Sequence, residues 1–91
     1  MSDDATRAHA VADAALACPG VAALTGGPYG AVATYLPGGR IEGVALRDTE
    51  IEVRLVARYG IPLPEVAARV RAAVGPLAGG RDVAVVIDDL S

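Results

Sequence analysis

Apolar and polar positions alternate most clearly between Val44 and Arg58. Ile51, Val53, Leu55 and Ala57 are interleaved with Glu50, Glu52, Arg54 and Arg58, and only Val56 breaks the order. A side-chain period of two puts the two sets on opposite faces, so this run predicts a strand with one apolar and one charged face. Upstream, Val44 and Leu46 alternate with Ala45 and Arg47, and Asp48-Thr49 lies between the two runs. Together they predict a β-hairpin that turns near Asp48. Near the C-terminus Val83, Val85 and Ile87 alternate with Asp82, Ala84, Val86 and Asp88, which predicts a final strand with Asp89-Leu90-Ser91 trailing off.

Two stretches carry the longer helical period instead. From Asp4 to about Cys18 the chain is rich in Ala and free of Gly and Pro, and Ala8, Val11, Ala12, Ala15 and Leu16 recur at steps of three and four. Ser2, Asp3 or Asp4 suits its N-terminus, and Pro19-Gly20 ends it. Its apolar stripe is narrow and mostly Ala, which implies a close approach to whatever it packs on. The second helix follows Ile61-Pro62-Leu63-Pro64, with Pro64 and Glu65 suited to the first turn. Leu63, Val66, Ala67, Val70, Val74 and Leu77 form its stripe, Gly75-Pro76 weakens its last turn and Gly79-Gly80 ends it.

Between the first helix and the hairpin lie Val21-Ala22-Ala23-Leu24 and then Gly30 to Leu36, bracketed by Thr25-Gly26-Gly27-Pro28 and Pro37-Gly38-Gly39. Gly30 to Leu36 suits a strand or a short helical turn. The pattern as a whole predicts an α+β two-layer sandwich over residues 1–91, a single domain of order α-β-β-β-α-β. Two helices would cover one face of a small mixed sheet of three to four strands, the last of them parallel to a hairpin strand. The opposite face would carry Glu50, Glu52, Arg54 and Arg58, as solvated surface or as a partner face.

Composition adds one constraint on the core. The 91 residues include 12 Val, 8 Leu, 4 Ile and 19 Ala but no Phe or Trp and only three Tyr, so the core is aliphatic. A small domain with so thin a core gains from burying a further face against a copy of itself or a partner. The formal net charge is −3, all eight basic residues are Arg, and they are scattered rather than gathered into a stripe. That balance argues against nucleic acid. One cysteine, no secretory signal and no run of 18 apolar residues make the cytoplasm the expected compartment, without direct membrane insertion.

Candidate chemistry is sparse. His9 lies off the apolar stripe of the first helix and reads as a solvated residue, and Cys18 has no second His to serve as its base. One His and one Cys fall short of the roughly four ligands of a structural zinc site. Asp88-Asp89 are adjacent on an extended segment and point in opposite directions, a poor cation site. Gly27-Pro28-Tyr29-Gly30 has the spacing of the G-x-x-G loop of KH-type RNA-binding domains, and the element order invites the comparison. Pro28, however, removes an amide donor, and no Lys or Arg lies between Leu16 and Leu36 to meet a phosphate. Gly38-Gly39 and Gly79-Gly80 read as turns, since neither continues into a phosphate loop. These residues predict no catalytic, cofactor or metal site.

Two segments carry a more specific pattern. Cys18-Pro19-Gly20-Val21-Ala22-Ala23-Leu24-Thr25-Gly26-Gly27 resembles the stretch following the first helix in the alkaline shock protein family, the Gls-type envelope stress response proteins of Gram-positive bacteria. Val56-Ala57-Arg58-Tyr59-Gly60-Ile61-Pro62-Leu63-Pro64-Glu65-Val66-Ala67-Ala68-Arg69-Val70 is similar to that family's passage from strand through Y-G and P-E-V-A into a helix. The resemblance spans roughly Val11 to Asp88. It implies a cytoplasmic, non-enzymatic protein of cell-envelope homeostasis that self-associates and lies at the inner face of the membrane through a membrane-anchored relative. No catalytic residue or cofactor carries over. Many members begin with an extra strand, whereas here Met1-Ser2-Asp3-Asp4 leads almost at once into the helix, which implies a different assembly or none. Tyr59, Gly60, Pro64 and Glu65, from the motif, and Glu52, Arg54 and Arg58, from the charged face, are the candidate interaction residues. Tyr59-Gly60 also has a structural reading, with Gly60 freeing the strand exit and Tyr59 continuing the apolar alternation of Ile51 to Ala57.

Overall fold

The computed structural model describes residues 3–91. The capping role expected of Ser2, and the lead from Met1, lie outside the described residues. Helix α1 spans Asp3–Leu16 and buries Ala8, Val11, Ala12 and Ala15, as the three- and four-residue spacing requires. Leu16, expected in the same stripe, is half exposed because the helix ends there. The Cys18 N–H then donates 3.1 Å to the Ala15 carbonyl as the chain turns.

The sheet is built around one strand, β5 (Glu50–Ala57), which buries Ile51, Val53, Leu55 and Ala57 and leaves the residues between them partly exposed. Two short strands, β1 (Val21–Leu24) and β4 (Val44–Leu46), pair antiparallel with β5. They do so end to end along the same edge. Val21 stands opposite Ala57 and Leu24 opposite Leu55, while Val44 stands opposite Val53 and Leu46 opposite Ile51. Arg54 marks the break between them: its carbonyl accepts 3.0 Å from the Thr25 N–H, and its own N–H donates 2.8 Å to the Gly43 carbonyl. One edge strand is thus interrupted, and the chain leaves it after Thr25 and re-enters at Gly43.

The excursion forms a sheet of its own. Strands β2 (Ala33–Leu36) and β3 (Gly39–Glu42) pair antiparallel from Ala33 opposite Glu42 to Leu36 opposite Gly39. The hairpin docks back on the main sheet where Thr34 Oγ1 donates 2.7 Å to the Val44 carbonyl. At its base the Val32 N–H donates to Gly26 and the Gly43 N–H to Val32. Gly43 has φ 83°, and a Cβ there would stand 2.8 Å from both the Arg54 oxygen and the Leu24 Cβ, so only glycine fits this junction.

After β5, helix α2 (Leu63–Val74) and a 3-10 turn (Gly75–Leu77) cross to β6 (Asp82–Leu90). The Pro62 carbonyl accepts from the N–H groups of Glu65 and Val66 at the start of α2. Strand β6 runs parallel to β5 on the edge opposite β1 and β4, from Glu50 opposite Asp82 to Leu55 opposite Ile87. A bulge then shifts the register so that Val56 faces Asp89.

Both helices lie on one face of this mixed four-stranded sheet, in an α+β fold. Val66, Val70 and Val74 of α2 join the α1 residues and the inner face of β5 in one core. The largest fully buried side chains are Ile51, Leu55, Val11, Val44, Val53, Val66, Val70 and Val74. At about 1.5–3 kcal/mol for each such chain, they supply most of the driving force, and the alanines of α1 contribute close approach instead. All three tyrosines lie outside the core, with exposures of 94% at Tyr29, 69% at Tyr35 and 76% at Tyr59.

Three details differ from the sequence reading. Five strands precede α2 where three were expected, because the excursion makes a separate ladder from four-residue strands. Strand β6 does not trail off after Asp88: it continues to Leu90, and Ser91 still donates to the Ala57 carbonyl and accepts from the Tyr59 N–H. Tyr59 does not continue the buried alternation, since β5 ends at Ala57 and the chain turns away.

Candidate interaction surface

The outer face of the sheet is fixed by the alternation of β5. With Ile51, Val53 and Leu55 inward, Glu52, Arg54 and Val56 point outward, and the parallel register sets Ala84 beside Glu52 and Val86 beside Arg54. Ala45 of β4 shares this face opposite Glu52. Charges run across this face from the end of β4 over β5 to β6. Arg47 Nη2 lies 3.1 Å from Glu52 Oε1, Arg54 Nη1 lies 3.6 Å from Glu52 Oε2, and Arg54 Nε lies 3.1 Å from Asp88 Oδ1. Arg54 Nε is shielded from solvent yet out of line for a hydrogen bond to Asp88, so their attraction is one of charge rather than of a directed bond. The glycine-rich loop lies beside this side chain, since a Cβ on Gly27 would stand 3.4–3.5 Å from the Arg54 Cδ, Nε and Nη1.

Of the candidate residues, Glu52 and Arg54 therefore come together, in company with Arg47 and Asp88. Arg58 is exposed beyond the end of β5, its N–H donating 2.8 Å to the Gly20 carbonyl. Tyr59 is exposed and Gly60 takes φ 103° at the strand exit. Pro64 and Glu65 are exposed in the first turn of α2, where Glu65 pairs with Arg69 one turn on. The motif residues thus lie along the link from sheet to helix layer, apart from the charged face. His9 is exposed. The Cys18 thiol donates 3.3 Å to the Ala14 carbonyl and is partly buried. Gly27-Pro28-Tyr29-Gly30 joins β1 to the β2–β3 hairpin rather than two helices.

The two edges of the sheet differ. On the β4 side, the Thr34 hydroxyl and the β2–β3 hairpin occupy the margin. The β6 side has no such cover. The Asp82 N–H donates to the Thr49 carbonyl of the neighbouring strand, so by alternation the N–H and C=O groups of Val83, Val85 and Ile87 point away from β5. Those groups meet no partner among the described residues. Val83, Ala84, Val85, Val86 and Ile87 are all only partly buried, an apolar run at an open edge. Past the bulge the edge closes on itself, because Asp89 Oδ1 accepts 2.8 Å from the Leu90 N–H.

Comparison with protein-family models, with curated proteins and with solved structures gives no match.

Among the described residues no group of three or more His, Cys, Asp or Glu is placed to hold a metal ion, and no helix is long and apolar enough to cross a membrane. Arg47 and Asp88 were missed as members of the charged face. Arg47 falls on the outward parity of its strand and was legible in the alternation. Asp88 was not, since its place beside Arg54 depends on strand register.

Proposed function

We propose that this chain is a non-enzymatic protein-interaction or scaffold domain of the envelope stress response, similar in role to the alkaline shock protein family. The observation that carries the reading is the open edge of β6, where Val83, Val85 and Ile87 present unpaired backbone groups and the run from Val83 to Ile87 presents partly exposed apolar side chains. Edges of this kind are covered, blunted or used for strand addition in stable proteins. Tyr59, on the link into α2, supplies an exposed aromatic of the sort that anchors interfaces. On this reading the protein works in the cytoplasm, held at the membrane by a membrane-anchored relative.

Size-exclusion chromatography with light scattering, together with a pull-down from a Gram-positive lysate, tests the reading. A self-associated species or a captured envelope protein is the expected result. A strict monomer at high concentration with no envelope partner would reject it, and tight, salt-sensitive binding of single-stranded RNA would replace it with a nucleic-acid function.

A further inference from the structure

We infer that the β2–β3 hairpin is a displaceable cover of the β4 edge, which undocks as one unit while the four-stranded sheet stays folded. Such an opening belongs to the fold itself and holds whether or not the chain serves as an interaction domain.

Alternation identifies what the hairpin covers. The Arg54 N–H donates to the Gly43 carbonyl and the Arg47 N–H to that of Glu50, so Gly43, Ala45 and Arg47 turn their backbone groups toward β5. Those of Val44 and Leu46 therefore point away from β5. The Thr34 hydroxyl satisfies one of them, the Val44 carbonyl. Val44 is fully buried, yet its N–H meets no partner among the described residues. A buried donor without an acceptor costs free energy that hydration returns, so the closed hairpin is held against this penalty.

The attachment that opposes it is slight. Within residues 33–42 the Thr34 hydroxyl makes the polar tie to the main sheet, and Ile41 is the side chain that packs on the core. Elsewhere the hairpin stands off: a cavity of about 330 Å³ separates residues 33–37 from Asp4 and Ala5 of α1 and from Leu46 of β4. The neck is local, with Val32 donating to the Gly26 carbonyl and accepting from the Gly43 N–H. A two-stranded ladder is marginal on its own. Undocking and loss of the ladder thus form one cooperative step, which leaves β5 and the two helices in place. It bares the outward groups of Val44 and Leu46 as a free strand edge in addition to that of β6.

Native-state hydrogen exchange of the full chain, followed by NMR in increasing urea below the unfolding transition, tests the inference. The amides of Thr34 and Ile41, which bond across the ladder, and the unpaired amide of Val44 should share one opening constant. That constant should exceed the one for Val53 and Leu55 in β5 at least about a hundredfold, with less than about half the urea dependence, because less surface is exposed. Ala45, bonded toward β5, should follow β5 rather than its neighbour Val44.

Two variants separate local from global opening. Val70→Ala, on the α2 side of the core, should speed exchange at Val53 and Leu55 at least about tenfold and leave the hairpin amides unmoved. Thr34→Val weakens the closed state against every open one, so both sets should speed by about the same factor, roughly two- to tenfold. Equal constants and equal urea slopes for hairpin and β5 overturn the inference, as does a hairpin that speeds with β5 in Val70→Ala. Ala45 exchanging with Val44 also overturns it, because β4 then leaves with the hairpin. Unrelated rates at Thr34 and Ile41 reject it too, since they show fraying instead of a unit. The urea series on the unsubstituted chain decides the matter alone if either variant fails to fold.

Discussion

Arg7 Nη1 donates a 2.6 Å hydrogen bond to the carbonyl of Leu77, tying the first turns of α1 to the 3-10 turn that follows α2. The carbonyls at a helix end lack intrahelical donors, and a guanidinium answers both their hydrogen-bonding need and the negative end of the dipole. Gly79 lies directly over this side chain, with φ 64° and with an added Cβ falling 2.8 Å from Arg7 Nη1. Arg7→Ala should cost about 1.5–3 kcal/mol, the range for a hydrogen bond involving a charged donor. Gly79→Ala should also destabilise, and less so in the Arg7→Ala background, because removing the guanidinium removes the clash but not the backbone strain. Urea denaturation of the four chains of the cycle measures both terms.

The junction at Gly43 should be the least tolerant glycine in the sheet. A methyl group there meets the Arg54 oxygen and the Leu24 Cβ at 2.8 Å, both on elements held by strand pairing. Gly38 has a similar φ of 80° in the hairpin turn but nothing within 4 Å. Gly38→Ala should therefore show the backbone term alone, about 1–2 kcal/mol, and Gly43→Ala should cost at least about twice that because overpacking is added. Equal midpoint shifts in urea would show that the junction relaxes freely.

The contrast between these two glycines also shows what a sequence can disclose. The alternation of Ile51 to Ala57 states which face of β5 is buried, because period two is a property of the strand itself. The stripes of α1 and α2 are equally local, and Val66, Val70 and Val74 fall inward as their spacing requires. The β2–β3 ladder is a different case. Its strands are four residues long, and Arg40-Ile41-Glu42 has too few positions to display a period. That β1 and β4 form one interrupted strand depends on their sharing the same edge of β5, a tertiary fact with no local trace. The Arg54–Asp88 approach depends on parallel register, and the openness of β6 on which strand has no neighbour. Tyr59 misleads by its parity, which suggests burial one step after the strand has ended.

That exposure gives Tyr59 a clean test. Its ring adds little to the core, so Tyr59→Ser should change the unfolding free energy by no more than about 0.5 kcal/mol, as for most surface substitutions. If the resemblance around Tyr59 and Gly60 reflects an interface, the same variant should weaken capture of the proposed envelope partner at unchanged stability. Thermal unfolding and the pull-down, run on one preparation, separate the roles: a large loss of stability would make the motif structural.

The charges on the outer face should stabilise the sheet unequally along the chain Arg47, Glu52, Arg54, Asp88. Arg47 is half exposed and long, so holding it against Glu52 loses in side-chain entropy much of what it gains in attraction. The Arg54 and Asp88 side chains are about one-quarter exposed, Arg54 lies beside the glycine-rich loop, and the pair is screened less by water. A double-mutant cycle with Arg47→Gln and Glu52→Gln should give a coupling below about 0.5 kcal/mol, and one with Arg54→Gln and Asp88→Asn a coupling nearer 1 kcal/mol. Raising the salt to about 1 M should erase the first coupling and leave part of the second, because the Debye length then falls to roughly 3 Å. A larger coupling at Arg47 than at Arg54 would show that strand position, and not shielding, decides the strength of these pairs.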